Sequence, residues 1–333
     1  MRFSTRGSGC ERSAACIGRY LVSGAGGARS ALGRQGLLMD ELSAESVAEQ
    51  PEVGAIRLVL RTFADNHLAA AGALVIALVT LFCFIGPLLY RTNQVAVNLA
   101  ITNLAPSSAH PLGTDNSGYD VLGRIMAGGQ ISIEVGLAVG LVSTAVGVVY
   151  GTLAGYFGRV VDAVFMRIID IGLSIPAVFL FIFVSRVVTP TVWLLILLLS
   201  GMSWLVPARL VRGEILTLKV REYVQAARGL GGRPWQVISR HLVPNSVGII
   251  VVNATFQIAN AILMLAVLQF LGFSIPPPTP SWGTMLSTGI NYLFDGYWWE
   301  VYPPLVAIVI LVLAFNLVGD GLRDAFEVRL QRR

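Results

Sequence analysis

Asn253, Gln257 and Asn260 fall at i, i+4 and i+7 inside an uncharged apolar run, a spacing that puts three amides on one face of a helix. An amide offers donors and an acceptor without a charge. Such a face either lines a path for a polar solute or bonds neighbouring helices to one another, and both readings stand. Elsewhere the reactive residue types are scattered. Cys10, Cys16 and Cys83 share no metal-ligand spacing with His67, His110 or His241, so neither a disulfide framework nor a metal site is indicated. The sole lysine, Lys219, follows Leu218 rather than a glycine-rich turn, so it cannot serve a phosphate-binding loop. No HExxH, GxSxG or clustered acid–base set occurs. The expectation is a chain with no catalytic residue and no cofactor, in which recognition and transmission replace catalysis.

The surroundings of the amides explain this. Of 333 residues, 55% are hydrophobic and only 13% charged, with a mean hydropathy of +0.70. Soluble domains carry about 25% charged residues. The chain reads as an all-α integral membrane protein with six transmembrane helices. Apolar runs place the spans at Leu68–Tyr90, Ile131–Phe157, Ile168–Ser185, Val187–Ala208, Ser246–Phe273 and Val301–Gly319, each near the 20 residues that cross a bilayer. Pro176 is expected to kink the third, which can begin as early as Val160. Along the second span Gly136, Gly140, Thr144, Gly147, Gly151 and Gly155 recur every three or four residues, a small-residue stripe that lets helices approach closely. Glu134 and Asp170 are expected at span ends, at the membrane interface, rather than in a proton relay. Ahead of the first span, Glu52–Asn66 reads as an amphipathic helix on the membrane surface or packed on the protein. The Pro/Trp-rich stretch Ser274–Gly283 reads as a loop, and Trp298 and Trp299 as part of an interfacial aromatic belt.

The first 50 residues are rich in Gly, Ala, Ser and Arg, and arginines interrupt every candidate secretory core, so Met1–Gln50 is read as a disordered cytosolic tail, with Met39 a candidate start. Residues 51–130 then carry the amphipathic helix, the first span and an external segment, and 131–333 form a five-helix core with a cytosolic loop at 213–245. With the N-terminus inside, 21 of the 24 lysines and arginines fall on the inner side, leaving Arg91, Arg124 and Arg186 outside. The positive-inside rule puts both termini and that loop in the cytoplasm. The formal charge of +5 is therefore spent on topology and not on nucleic acid.

Glu222 to Asn245 is a polar, basic stretch between two long uncharged apolar runs. Tyr223, Ala226, Ala227 and Leu230 share a helical face; Gly231-Gly232 ends that helix; Pro234 suits the first turn of a second, with Trp235, Ile238 and Leu242 as its apolar face and Pro244 as its stop. Gly231 is expected at positive φ with close backbone approach. Two helices this short have no core of their own, so their apolar faces need a partner. A DNA-binding helix-turn-helix is a worse reading, since such a module needs freedom to enter a groove and this one has a membrane span on each side.

This spacing resembles the EAA loop of ABC-importer permeases: Gln225-Ala226-Ala227, then Gly231, then His241-Leu242-Val243-Pro244. Gln225, His241 and Val243 stand where that family has Glu, Ile and Leu. Further stretches, HPLGTDNSGYDVLGRI (110–125), PPTPSWGTML (277–286) and AFNLVGDGLRDAF (314–326), resemble the C-type permease of the dipeptide/oligopeptide/nickel family, with Tyr119 in place of its usual Arg. The resemblance covers roughly residues 55–330 in order. It implies a type I importer permease fold in the bacterial cytoplasmic membrane, surrounded by lipid. It also implies a second, B-type permease, two cytosolic ATPase subunits and an extracytoplasmic solute-binding protein as partners. The coupling loop to the ATPase would then comprise Glu222, Tyr223, Gln225, Ala226, Ala227, Gly231, Pro234, His241 and Pro244. Peptide import is the implied function, nickel or another small solute the alternative. An ion-coupled secondary transporter would predict paired acids or broken helices at mid-membrane, and only the amide stripe comes close.

Overall fold

The computed structural model describes residues 55–331, except 93, 95 and 186; Met1–Gln50 lies outside these residues. The described residues form helices and no strand. Helix α1, Ala55–Asp65, ends just before Asn66, whose side chain accepts from Leu68 N and Ala69 N and caps α2, His67–Leu89. This cap is what separates two helices that sequence alone would run together. Val59 of α1 is buried and Asn66 Nδ2 donates to Asp324 Oδ2 at 3.4 Å, so α1 packs on protein.

Helix α3 is much longer than its apolar run. It spans Val121–Phe157, 37 residues, where the hydropathy predicts a start at Ile131. The reason is that its polar first turns pack against the protein's own preceding segment. Asp120 caps them by accepting from Gly123 N at 2.9 Å, and Arg124 lies against Asp115 and over the Tyr119 ring. The glycine stripe further along is a two-sided seam. A Cβ added at Gly136 would meet Ile262 Cγ1 at 2.5 Å, and one at Gly147 would meet Pro207 Cβ at 2.5 Å and Ala208 N at 3.0 Å. Gly140 closes in the same way on Ile258, Gly151 on Ala208 and Gly155 on Ile215.

The next two crossings are broken. Helices α4, Arg159–Ser174, and α5, Ala177–Ser185, bend by 71° around Pro176, far more than a kink within one span. Helices α6, Val192–Ser203, and α7, Leu205–Leu218, bend by 40° at Trp204. Here the helical stretch overruns the expected end at Ala208 by ten residues, because Arg209 pairs with Asp170 and Arg212 with Asp162. A helix whose charges find partners has no reason to stop where its apolar run does. Counting each bent pair once, the described residues hold up to six crossings, four of them unbroken.

Two short helices follow, α8 (Glu222–Gly229) and α9 (Pro234–Val237), then α10, Val247–Phe270. The expected loop after it runs only to Ser281, which caps α11, Trp282–Gly289. Helix α12, Tyr302–Gln331, extends twelve residues past the predicted Gly319. Trp299 does not belong to an aromatic belt. It is buried, and its indole N–H donates to Thr114 O at 3.2 Å, while Trp298 is exposed.

Candidate functional site

The stretch from Glu222 to Asn245 folds by its local signals. At the end of α8, Leu230 N donates to Ala226 O, Gly231 N to Arg228 O and Gly232 N to Ala227 O, at 3.0 to 3.1 Å. This is a C-cap that needs a left-handed residue, and Gly231 supplies it with φ +82°. The close approach expected at Gly231 falls instead at Gly232, where a Cβ would sit 2.6 Å from Ala227 O; around Gly231 there is open space. Pro234 opens α9 at its first position. Helix α9 then widens into a π turn, Ile238–Leu242, in which Val243 N reaches back five residues to Ile238 O at 3.0 Å.

That extra residue decides which faces turn inward. Val224, Val237, Ile238 and Leu242 are buried against Tyr156, Val211, Ile215 and Leu218 of α3 and α7. The face predicted from Tyr223, Ala226, Ala227 and Leu230 points away from the rest of the chain: Leu230 is 90% exposed, Tyr223 and Ala226 are exposed, and only Ala227 is half-buried. Trp235 does not join Ile238 and Leu242 as expected; it is 73% exposed, on the outward side with Leu230. Glu222, Gln225, Pro234 and Pro244 are also exposed, and His241 is half-buried with its ring 6.4 Å from that of Tyr223. Ile238 and Leu242 face inward as the sequence predicts, and Val224 and Val237 join them in place of Trp235.

The two short helices are therefore clamped on one side and bare on the other. The clamp is polar as well as apolar. Lys219 Nζ donates to Gly155 O at 2.8 Å, the Arg228 guanidinium lies 5.3 Å from the Tyr156 ring centre, and Arg212 NH2 donates to Asp162 Oδ2 at 2.6 Å. These contacts tie the loop and its approach to α3, and α7 to α4.

The three amides meet different surroundings. Gln257 is buried and its Nε2 donates to Ser203 O at 2.6 Å. In a continuous helix that carbonyl would accept from the N–H four residues on, but residue 207 is proline and has none. Gln257 thus substitutes for the missing donor at the bend between α6 and α7. Asn253 is half-buried with its Oδ1 unbonded, and Asn260 is exposed. Gln257→Leu should lower stability by about 0.6–1.7 kcal/mol, the range for interhelical polar contacts in membranes. A lower melting temperature in detergent checks this; an unchanged one with altered transport would mark Gln257 as part of the path instead.

At the far end of the bundle the 98–120 segment is tied down by Asp120, which accepts from Tyr90 OH at 2.9 Å and lies 2.7 Å from His110 Nδ1. Burial, then the Asp120 carboxylate, pushes the Tyr90 phenol up to about 12, so it remains a donor at physiological pH. Beside it, the indole N–H of Trp282 donates to Ile125 O at 2.9 Å, fastening α11 to α3.

Residues 147–332 match the family of binding-protein-dependent transport system inner membrane components, and residues 55–106 match the N-terminal transmembrane domain of oligopeptide transport permease C. The chain belongs to this permease family. The first match takes in the seam from Gly147 on, the clamped loop, the amides and α12. The dipeptide transport system permease protein DppC of Bacillus subtilis is 35% identical over 289 residues, 87% of this permease and 90% of that protein. The oligopeptide transport system permease protein OppC of the same organism is 36% identical, over 81% of this permease and 88% of its own length. The probable D,D-dipeptide transport system permease protein DdpC of Escherichia coli is 34% identical, over 87% and 97%. Inner-membrane placement follows from the family and from the apolar helices.

Proposed function

We propose that this permease is one membrane subunit of an ATP-driven peptide importer, and that α8 and α9 receive the push of a cytosolic ATPase. The observation that carries the reading is the two-sided loop: Val224, Val237 and Leu242 locked to α3 and α7, with Leu230 and Trp235 bare on the other side. An apolar face kept out of the protein's own core is what a partner surface looks like. The roles of Glu222, Tyr223, Gln225, Ala226, Ala227, Gly231, Pro234, His241 and Pro244 are part of this proposal. So are the partners: a second permease, two ATPases and a solute-binding protein at the opposite face. Peptides are favoured as cargo over nickel because the relatives' names specify dipeptides and oligopeptides. The arginine distribution supports placing the loop and both termini in the cytoplasm.

One assay tests orientation and cargo together. In cells making the complete complex, a reporter after Lys219 should read as cytosolic and one at Asn116 as external, while labelled dipeptide or oligopeptide accumulates and unlabelled peptide competes it away. An external signal at Lys219, or uptake competed by Ni²⁺ and not by peptide, would overturn the reading.

A further inference from the structure

The start of an apolar run at Ile131 predicts Glu134 at the interface, but the register of α3 gives it a deeper level along the bundle. Helix α3 begins thirteen residues earlier, at Val121. Its register against α2 is set by two contacts: Gly86 packs on Met126, and Gln130 Nε2 donates to Cys83 O at 2.8 Å. Continued two turns, this antiparallel register brings Glu134 to the level of Leu78, the middle residue of α2. A second register agrees. Gly136 on Ile262 and Gly140 on Ile258 put Glu134 level with Met264, six residues inside the end of α10, or about 9 Å at 1.5 Å per residue. At either level the residue would sit inside a hydrocarbon layer of about 30 Å.

The side chain is exposed, and no salt bridge among the described residues includes it. Its neighbours along the same face, Leu137 and Leu141, are apolar and exposed, the latter by 61%. This strip is set apart from the glycine seam around α3, and among the described residues its three side chains are left exposed. Lipid is a poor occupant, since acids at this depth are found facing protein or water. A water-filled path is also a poor occupant, because the strip is apolar but for one residue. A second copy of this chain would bring carboxylate towards carboxylate if it docked through the same face. What remains is a different helix that is apolar along its length and carries one hydrogen-bond donor or cation.

We infer that the Glu134–Leu137–Leu141 face packs against the second permease of the importer, and that a donor on that subunit pairs with Glu134 and fixes the register of the two. This rests on the importer reading above. It also gives a reason for hetero-pairing over self-pairing: one uncompensated acid favours a partner that is not identical.

The complete complex, made with a photo-crosslinking amino acid in place of Leu141, tests it. The expected product is an adduct between this chain and the second permease. Glu134→Leu should reduce the second permease retained through detergent purification by roughly tenfold, whereas Glu134→Gln, which keeps an acceptor, should stay within about threefold of the natural chain. Adducts with lipid or with peptide alone, or labelling of Leu141→Cys by a membrane-impermeant maleimide, would overturn the docking face. If the second permease co-purifies yet never crosslinks at Leu141, the face is wrong and the importer reading stands. If no second permease accompanies the natural chain, both fail.

Discussion

Leu230→Asp should leave the permease inserted, folded and paired, yet reduce peptide uptake and binding-protein-stimulated ATP hydrolysis at least tenfold. The side chain is 90% exposed, so its replacement removes almost no contact within the chain. A buried apolar anchor at a protein interface contributes about 2 kcal/mol or more, and a desolvated carboxylate in its place adds a penalty, which together exceed one order of magnitude. Gly231→Val and Ala227→Trp should uncouple by a different route. Valine at φ +82° is strained by about 1–2 kcal/mol, which the cap relieves by changing the angle between α8 and α9. Tryptophan at Ala227 adds bulk at a half-buried position whose carbonyl holds Gly232 N. All three variants spare the apolar spans, so insertion should be normal. Reconstitution of the complex with each variant, with transport and ATP hydrolysis measured on the same vesicles, decides the matter. Natural coupling in all three would reduce the loop to a connector.

The second large effect is expected at the seam. Gly151→Leu should prevent α3 and α7 from closing, because a Cβ there collides with the Ala208 carbonyl and lies 2.9 Å from Arg212 N, both backbone atoms that no rotamer change can move. Overpacking of this kind costs about 1–3 kcal/mol when side chains can yield, and more when backbones must part. The folded fraction in detergent should fall by tenfold or more. Gly213 lies on α7 itself with nothing within 4 Å of a built Cβ, so Gly213→Leu controls for helix propensity and hydrophobicity. Equal melting temperatures for the two variants would show that the helices are not held by this seam.

How far these features could be read from sequence depends on what each one has to satisfy. The middles of the spans were readable because lipid forces apolar residues there. Their ends were not, since charged residues beyond the apolar run can pair within the protein instead of facing water: Arg124 with Asp115, Arg212 with Asp162. The bend at Pro176 was foreseen as a kink, but the bend at Trp204 depends on Gln257 standing in for the N–H that Pro207 lacks, a long-range fact. At the candidate site the break after Gly229 was written in Gly231, Gly232 and Pro234. The inward face was legible only in Ile238 and Leu242; Val224, Val237 and Trp235 were not sorted, because apolar residues occur all round the two short helices.

The hydrogen bond from Lys219 to Gly155 O makes the permease its own single-site probe. Lys219 is the only lysine in the chain, so an acylating reagent meets one side-chain amine. That amine is held on a carbonyl at the joint where α3, α7 and the loop converge. Acylation competes with that bond, so light and heavy reagents applied before and during turnover would report whether the joint loosens, without altering a single residue.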